Sequence, residues 1–118
     1  YYEYLLKQWV QSGRRATREK DAWKAAMQDL MKTLVVRTAG GATFVAESDR
    51  GRLKHQMDHL VCYVAGNLML GSHVLPEEEV DPAWALLAAN LTETCYQMYR
   101  RSPSGLAPEF TVFHADKE

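Results

Sequence analysis

The sequence predicts an all-α fold built from helix pairs. Apolar residues recur at helical spacing along four segments, and glycine or proline clusters punctuate the gaps between them. One of those segments is apolar on nearly every side, and such a helix expects neighbours on two or more sides. The chain has 118 residues, room for one domain over 1–118.

The first helix is expected from Tyr1 to about Ser12. Tyr2, Leu5, Leu6, Trp9 and Val10 share one face, and Gly13 is placed to stop it. The second is expected from about Thr17 to Thr38. Trp23, Ala26, Met27, Leu30, Met31, Leu34 and Val35 keep the 3.6-residue period, and Gly40-Gly41 breaks it. Thr43 to Ala46 is β-branched and aromatic and reads as a short strand, and Ser48-Asp49-Arg50-Gly51 reads as a turn.

The all-round apolar helix is the third, about His55 to Gly71, with Met57, Leu60, Val61, Val64, Leu68, Met69 and Leu70. Asp81-Pro82 opens the fourth, with aspartate as N-cap and proline at the first helical position. Its stripe is Trp84, Leu87, Ala88, Leu91, Cys95 and Met98, and Ser102-Pro103-Ser104-Gly105 closes it. Phe110 to Val112 suits a last short strand. The order is then helix, helix, hairpin-like link, helix, helix, tail. No repeat shows at a fixed period, although two helix pairs suit consecutive αα-hairpins.

Composition is that of a folded globular chain, 47% apolar and 25% charged, which excludes disordered and collagen-like classes. Fourteen basic residues face 15 acidic ones for a net charge of −1, so no global field invites nucleic acid. Apolar stretches such as Leu60 to Ala65 are far short of a spanning helix. The chain opens on Tyr1-Tyr2-Glu3-Tyr4-Leu5-Leu6, which reads as the middle of a helix, so a piece of a longer protein is expected.

Few polar groups suggest chemistry. Asp58-His59 opens an apolar helix, where the dipole favours a carboxylate; the pair suits either a cap with a hydrogen-bonded histidine or a site. Glu109 after Pro108 suits a loop carboxylate or a site acid, and Glu3 among tyrosines a solvated helix position or a site carboxylate. Glu77-Glu78-Glu79 reads as an exposed acidic loop, and Asn90-Leu91-Thr92 is an N-glycosylation pattern inside a helix. Cys62 and Cys95 lie on the third and fourth helices. They suit either a bridge, worth about 3–4 kcal/mol by loop closure, or two buried thiols. No metal cluster, phosphate loop or nucleophile–base spacing is legible.

Five blocks carry a resemblance. Tyr1-Tyr2-Glu3-Tyr4-Leu5-Leu6-Lys7-Gln8-Trp9 resembles a signature of the class I α-1,2-mannosidases, glycoside hydrolase family 47. So do Met57-Asp58-His59-Leu60-Val61-Cys62-Tyr63 with Leu68-Met69-Leu70-Gly71, then Glu93-Thr94-Cys95-Tyr96-Gln97-Met98-Tyr99, and Gly105-Leu106-Ala107-Pro108-Glu109. Thr43-Phe44-Val45-Ala46-Glu47 is a weaker fifth. The blocks stand in the family's order, and the wording is nearer the endoplasmic-reticulum branch than the Golgi branch.

The resemblance implies consecutive hairpins of an (αα)7 barrel, about a quarter of the family's catalytic domain, with short β-hairpin-like links. It implies a disulfide between Cys62 and Cys95. It implies an inverting, calcium-dependent glycosidase that trims terminal α-1,2-linked mannose from Asn-linked oligomannose glycans. The setting would be the secretory pathway lumen, endoplasmic reticulum or Golgi, with any membrane anchor elsewhere in the parent. The family's essential acids and its calcium-binding threonine fall outside this chain, so no catalytic set and no metal site is expected within it, and the isolated chain is expected to be inactive. Glu3, His59 and Glu109 would line the pocket, with Asp58 a lesser member. Its partners would be the high-mannose glycan and the rest of the barrel. The rival readings are a mannosidase-like glycan-recognition protein of glycoprotein quality control and a stand-alone helical interaction module.

Overall fold

Four α-helices carry the molecule, and short strand pairs occupy the links. A computed structural model describes residues 1–114, so the last four residues of the expected domain lie outside the described part. The helices are α1 (Tyr2–Gln11), α2 (Thr17–Thr33), α3 (Tyr63–Val74) and α4 (Pro82–Arg100). Six three-residue strands pair as antiparallel couples: β1 (Val35–Arg37) with β2 (Thr43–Val45), β3 (Glu47–Asp49) with β4 (Arg52–Lys54), and β5 (Gln56–Asp58) with β6 (Phe110–Val112). Among the described residues, no helix is long and apolar enough to cross a membrane.

The main core is helical. Leu5, Leu6 and Trp9 of α1, Trp23 and Met27 of α2, Val64, Ala65 and Leu68 of α3, and Trp84, Leu87, Ala88 and Leu91 of α4 form one buried cluster. The third helix lies against both α1 and α4, as its lack of a polar face predicts. Trp23 meets Trp84 edge to face, with ring centroids 5.1 Å apart. It reaches that position by lying flat on Gly71: a Cβ built there would sit 2.2 Å from Trp23 Cη2. The Trp23 indole N–H donates to Asn67 Oδ1 at 2.6 Å, which lets a polar side chain stay buried. The side chain of Asp81 accepts from the Ala83 amide at 2.9 Å and caps α4 as its sequence predicts.

A second, smaller core holds the strand end together. Phe44, Ala46 and Met57 are buried, with Val36, Val61, Cys62, Cys95 and Phe113 against them. Phe44 and Phe113 stack at 4.3 Å. Cys62 and Cys95 are bridged, with Cα atoms 6.1 Å apart. The Thr94 hydroxyl donates to the Thr43 carbonyl, which ties α4 to β2.

Two elements depart from the helical periodicity. The second helix stops at Thr33 rather than Thr38, because Val35 and Val36 pair with Val45 and Phe44 across the Gly40-Gly41 turn. β-branched residues serve a pleated surface at least as well as a helix face. The segment from His55 begins as a strand, not a helix. Met57 faces inward, fully buried, between two partly buried neighbours, and β5 pairs with β6 in the register Met57↔Thr111. A 3-10 turn over His59–Cys62 then leads into α3. The Ser48–Gly51 turn is one end of a tight hairpin: Asp49 opposes Arg52, and Arg50 and Gly51 both take positive φ (50° and 80°). That two-residue loop is the geometry in which glycine is favoured.

Candidate functional site

The β5–β6 pair brings distant parts of the chain together. Main-chain bonds extend it at both ends: the His59 amide donates to the Glu109 carbonyl at 3.0 Å, and the Phe113 amide donates to the His55 carbonyl at 2.8 Å. His59 thus sits beside Glu109 although 50 positions separate them. The His59 ring repeats the tie, with Nδ1 3.2 Å from the same Glu109 carbonyl oxygen. A carbonyl oxygen can only accept, so Nδ1 carries the proton in this contact. In the neutral ring, Nε2 is then the acceptor nitrogen. His59 is half-buried and Glu109 exposed.

Asp58 ends β5, opposite Phe110, and is the N-cap residue of the 3-10 turn. Its side chain makes no capping hydrogen bond, so the helix-cap reading of Asp58 does not describe it. The dipole argument also weakens, because a four-residue 3-10 turn stands where a long helix was expected.

Glu3 lies in the first turn of α1, partly buried, with Lys7 one turn on at 2.7 Å. The hydrogen bond to Glu3 raises the Lys7 ammonium above its usual range. Tyr63 opens α3 directly after the turn that bears His59. Burial pushes its phenol up, and the nearby Glu3 carboxylate adds to the effect. Tyr63 therefore stands between the Glu3 end of α1 and the His59 turn. Among the described residues, no hydrogen bond or ion pair joins Glu3 directly to His59 or Glu109.

The convergence of His59 and Glu109 depends on the strand pair that local periodicity does not reveal. Tyr63 and Lys7 carry no spacing signal of a site; both read as ordinary helix positions. Among the described residues, no group of three or more His, Cys, Asp or Glu converges so as to hold a metal ion. The side chains here can accept and donate hydrogen bonds and hold a carboxylate beside a lysine. An acid–base pair spanning a scissile bond is not among them.

Comparison with known proteins gives this geometry a context. The model of glycosyl hydrolase family 47 matches residues 1–118. The endoplasmic reticulum mannosyl-oligosaccharide 1,2-alpha-mannosidase of Rattus norvegicus is 41% identical over 116 residues, 97% of this chain and 17% of that protein. The human mannosyl-oligosaccharide 1,2-alpha-mannosidase IC is 36% identical over 118 residues, 100% of this chain and 19% of its own length. The chain thus spans less than a fifth of these two relatives. In structure, an alpha-1,2-mannosidase from Trichoderma reesei superposes with a TM-score of 0.82 at 22% identity, over 95% of this chain and 23% of that one. That likeness shows a shared fold. With the family model matched from end to end, and with relatives of this identity covering nearly all of it, the chain belongs to glycosyl hydrolase family 47.

Proposed function

We propose that the polypeptide carrying this chain is an α-1,2-mannosidase that removes terminal α-1,2-linked mannose from Asn-linked oligomannose glycans in the secretory pathway. One observation carries the reading: the family match over the whole chain, with relatives named as mannosyl-oligosaccharide 1,2-alpha-mannosidases at up to 41% identity. The Cys62–Cys95 bridge suits an oxidising lumen.

In this reading the chain supplies one wall of the site, as two hairpins of an (αα)7 barrel. Hydrolysis with inversion needs two carboxylates about 6.5–9.5 Å apart with water between them. That pair belongs to the rest of the polypeptide, and the isolated chain is inactive. Calcium is the proposed cofactor, and the rest of the polypeptide would supply its ligands. What these residues do is bind and orient. His59, held through Nδ1, offers Nε2 to a sugar hydroxyl or to a protonated carboxyl. Glu109 accepts from hydroxyls at the rim. Glu3, paired with Lys7 at 2.7 Å, orders polar groups on the α1 side, and Asp58 is a lesser contributor. Incubating the full-length protein with an oligomannose glycan tests the reading directly. Release of free mannose, first appearing as the β-anomer and lost on calcium chelation, is expected. Glycan binding without release would identify a recognition protein of glycoprotein quality control instead.

A further inference from the structure

Asn90-Leu91-Thr92 on α4 matches the acceptor pattern for N-glycosylation, with leucine rather than proline at the middle position. We infer that Asn90 carries an Asn-linked oligosaccharide, attached as the chain enters an oxidising lumen. The inference rests on the secretory part of the mannosidase reading and not on its activity. The Cys62–Cys95 bridge supports that setting independently of any relative.

The side of α4 that bears Asn90 suits a bulky, solvated group. The core side of the helix is Trp84, Leu87, Ala88, Leu91 and Met98, all buried. Asn90 is half-buried and no member of that cluster. It shares its side with Glu93, Gln97 and Arg101 at three- and four-residue spacing, with Leu86 the apolar exception. The Gln97 amide donates to Glu93 Oε1 at 2.8 Å, a polar pair along that side. In an amphipathic helix such a side meets water. The hairpin partner α3 has no polar face and packs on both α1 and α4. By residue type, α3 is the enclosed member of the hairpin and α4 the outer one, so the Asn90 side stays toward solvent when further helices surround α3.

The helix also fixes when the bond forms. Side chains two positions apart on a helix do not face each other. The Thr92 hydroxyl is moreover taken up by the Ala88 carbonyl at 2.8 Å. A transferase must therefore meet the segment extended, before α4 packs on α3. In the step itself the Asn90 amide nitrogen attacks the anomeric carbon of a polyprenyl-diphosphate-linked oligosaccharide. The bond from that carbon to the diphosphate oxygen breaks, its electron pair leaves with the lipid diphosphate, and one amide proton passes to a base of the transferase. Only the side-chain nitrogen is used. The Asn90 carbonyl remains free to accept from the Thr94 hydroxyl at 3.1 Å once the helix closes.

The test uses the full-length protein made in a eukaryotic secretory host, with Thr92→Ala and Thr92→Ser beside the parent. Tryptic peptides are treated with a peptide N-glycosidase in heavy-oxygen water, which turns a glycosylated asparagine into a labelled aspartate. Position 90 should be labelled in the parent and in Thr92→Ser. In Thr92→Ala the label should be lost, and the untreated protein should gain the gel mobility of one missing glycan. Asn90→Gln should show the same gain, which keeps the test decisive should Thr92→Ala fold poorly. An unlabelled Asn90 in the parent would overturn the inference. A label that persists in Thr92→Ala would overturn it as well, because spontaneous deamidation would then be its source. Mannose release by the same preparations reads the other claim. A labelled Asn90 without release leaves the inference standing while the mannosidase reading fails, and release with Asn90 unlabelled does the reverse.

Discussion

The helical core and the strand end of this chain are held by different means. The helical core rests on long amphipathic segments, whose buried residues recur every three or four positions and meet in one cluster around Trp23 and Trp84. The strand end has three separate couples of three-residue strands, each too short to stand alone in water. It is held by a cluster of three buried residues, a disulfide and the Thr94–Thr43 tie to α4. His59 and Glu109 belong to this second region. The difference teaches how the labour is divided: the helices provide a rigid frame, and two of the groups proposed to meet the glycan, His59 and Glu109, sit on links that the frame and one covalent bond position.

Breaking the disulfide should have the largest effect. Cys62 and Cys95 close a loop of 33 residues, for which chain-entropy loss predicts about 3–4 kcal/mol of stabilisation. Replacing both by serine should lower the unfolding free energy by that amount and loosen amide protection at Gln56–Asp58 and Phe110–Val112 first. Equal loosening of α1 and α2 would show that the two regions are one unit. Close behind comes Gly71→Ala. A methyl group there collides with the Trp23 ring, which packs in turn against Trp84, so overpacking should cost about 3 kcal/mol. The cost should appear in the helical core, as a lower melting temperature with the Trp23 environment changed in near-ultraviolet circular dichroism. A smaller effect tests the frame alone: Asp81→Ala removes the cap of α4 and should cost about 1 kcal/mol in urea titration.

The smallest expected effect is electrostatic. Lys20 and Lys24 of α2 both contact Glu79 at 2.9 Å and pin the loop before α4 to the frame. Hydrogen bonds from both lysines hold the Glu79 carboxyl below its usual value of 4.5. A depressed carboxylate stabilises the fold at pH values above its unfolded pKa, and the contribution is lost as pH falls through the lower folded value. Stability curves of the parent and Glu79→Gln should therefore differ slightly at neutral pH and converge below pH 4.5. Divergence that grows in acid would contradict the sign.

What could be read from the sequence follows the same division. Asp81-Pro82 signals its helix start locally, and the stripe from Trp84 to Met98 needs no knowledge of distant partners. Val35 and Val36 satisfy a helical period and a strand equally, and only the partner strand Thr43–Val45 decides between them. Gln56–Asp58 looks like a helix start until β6 is present to pair with it. The site suffers most from this blindness, because the His59–Glu109 contact exists only through that pairing. The cysteine pairing is ambiguous by residue type, the family blocks imply it, and the structure contains it.

The central claim is that the strand end presents His59 to the glycan without carrying the stability of the fold. The most direct measurement compares His59→Ala with the parent full-length protein, recording mannose release from an α-1,2-terminated glycan and thermal melting on the same preparations. Loss of a hydrogen bond to a reacting sugar or its carboxyl partner should lower turnover about tenfold or more, with the melting temperature within about 2 °C of the parent. Unchanged turnover, or a drop in melting temperature large enough to account for the lost activity, would contradict the claim and return His59 to a purely structural role.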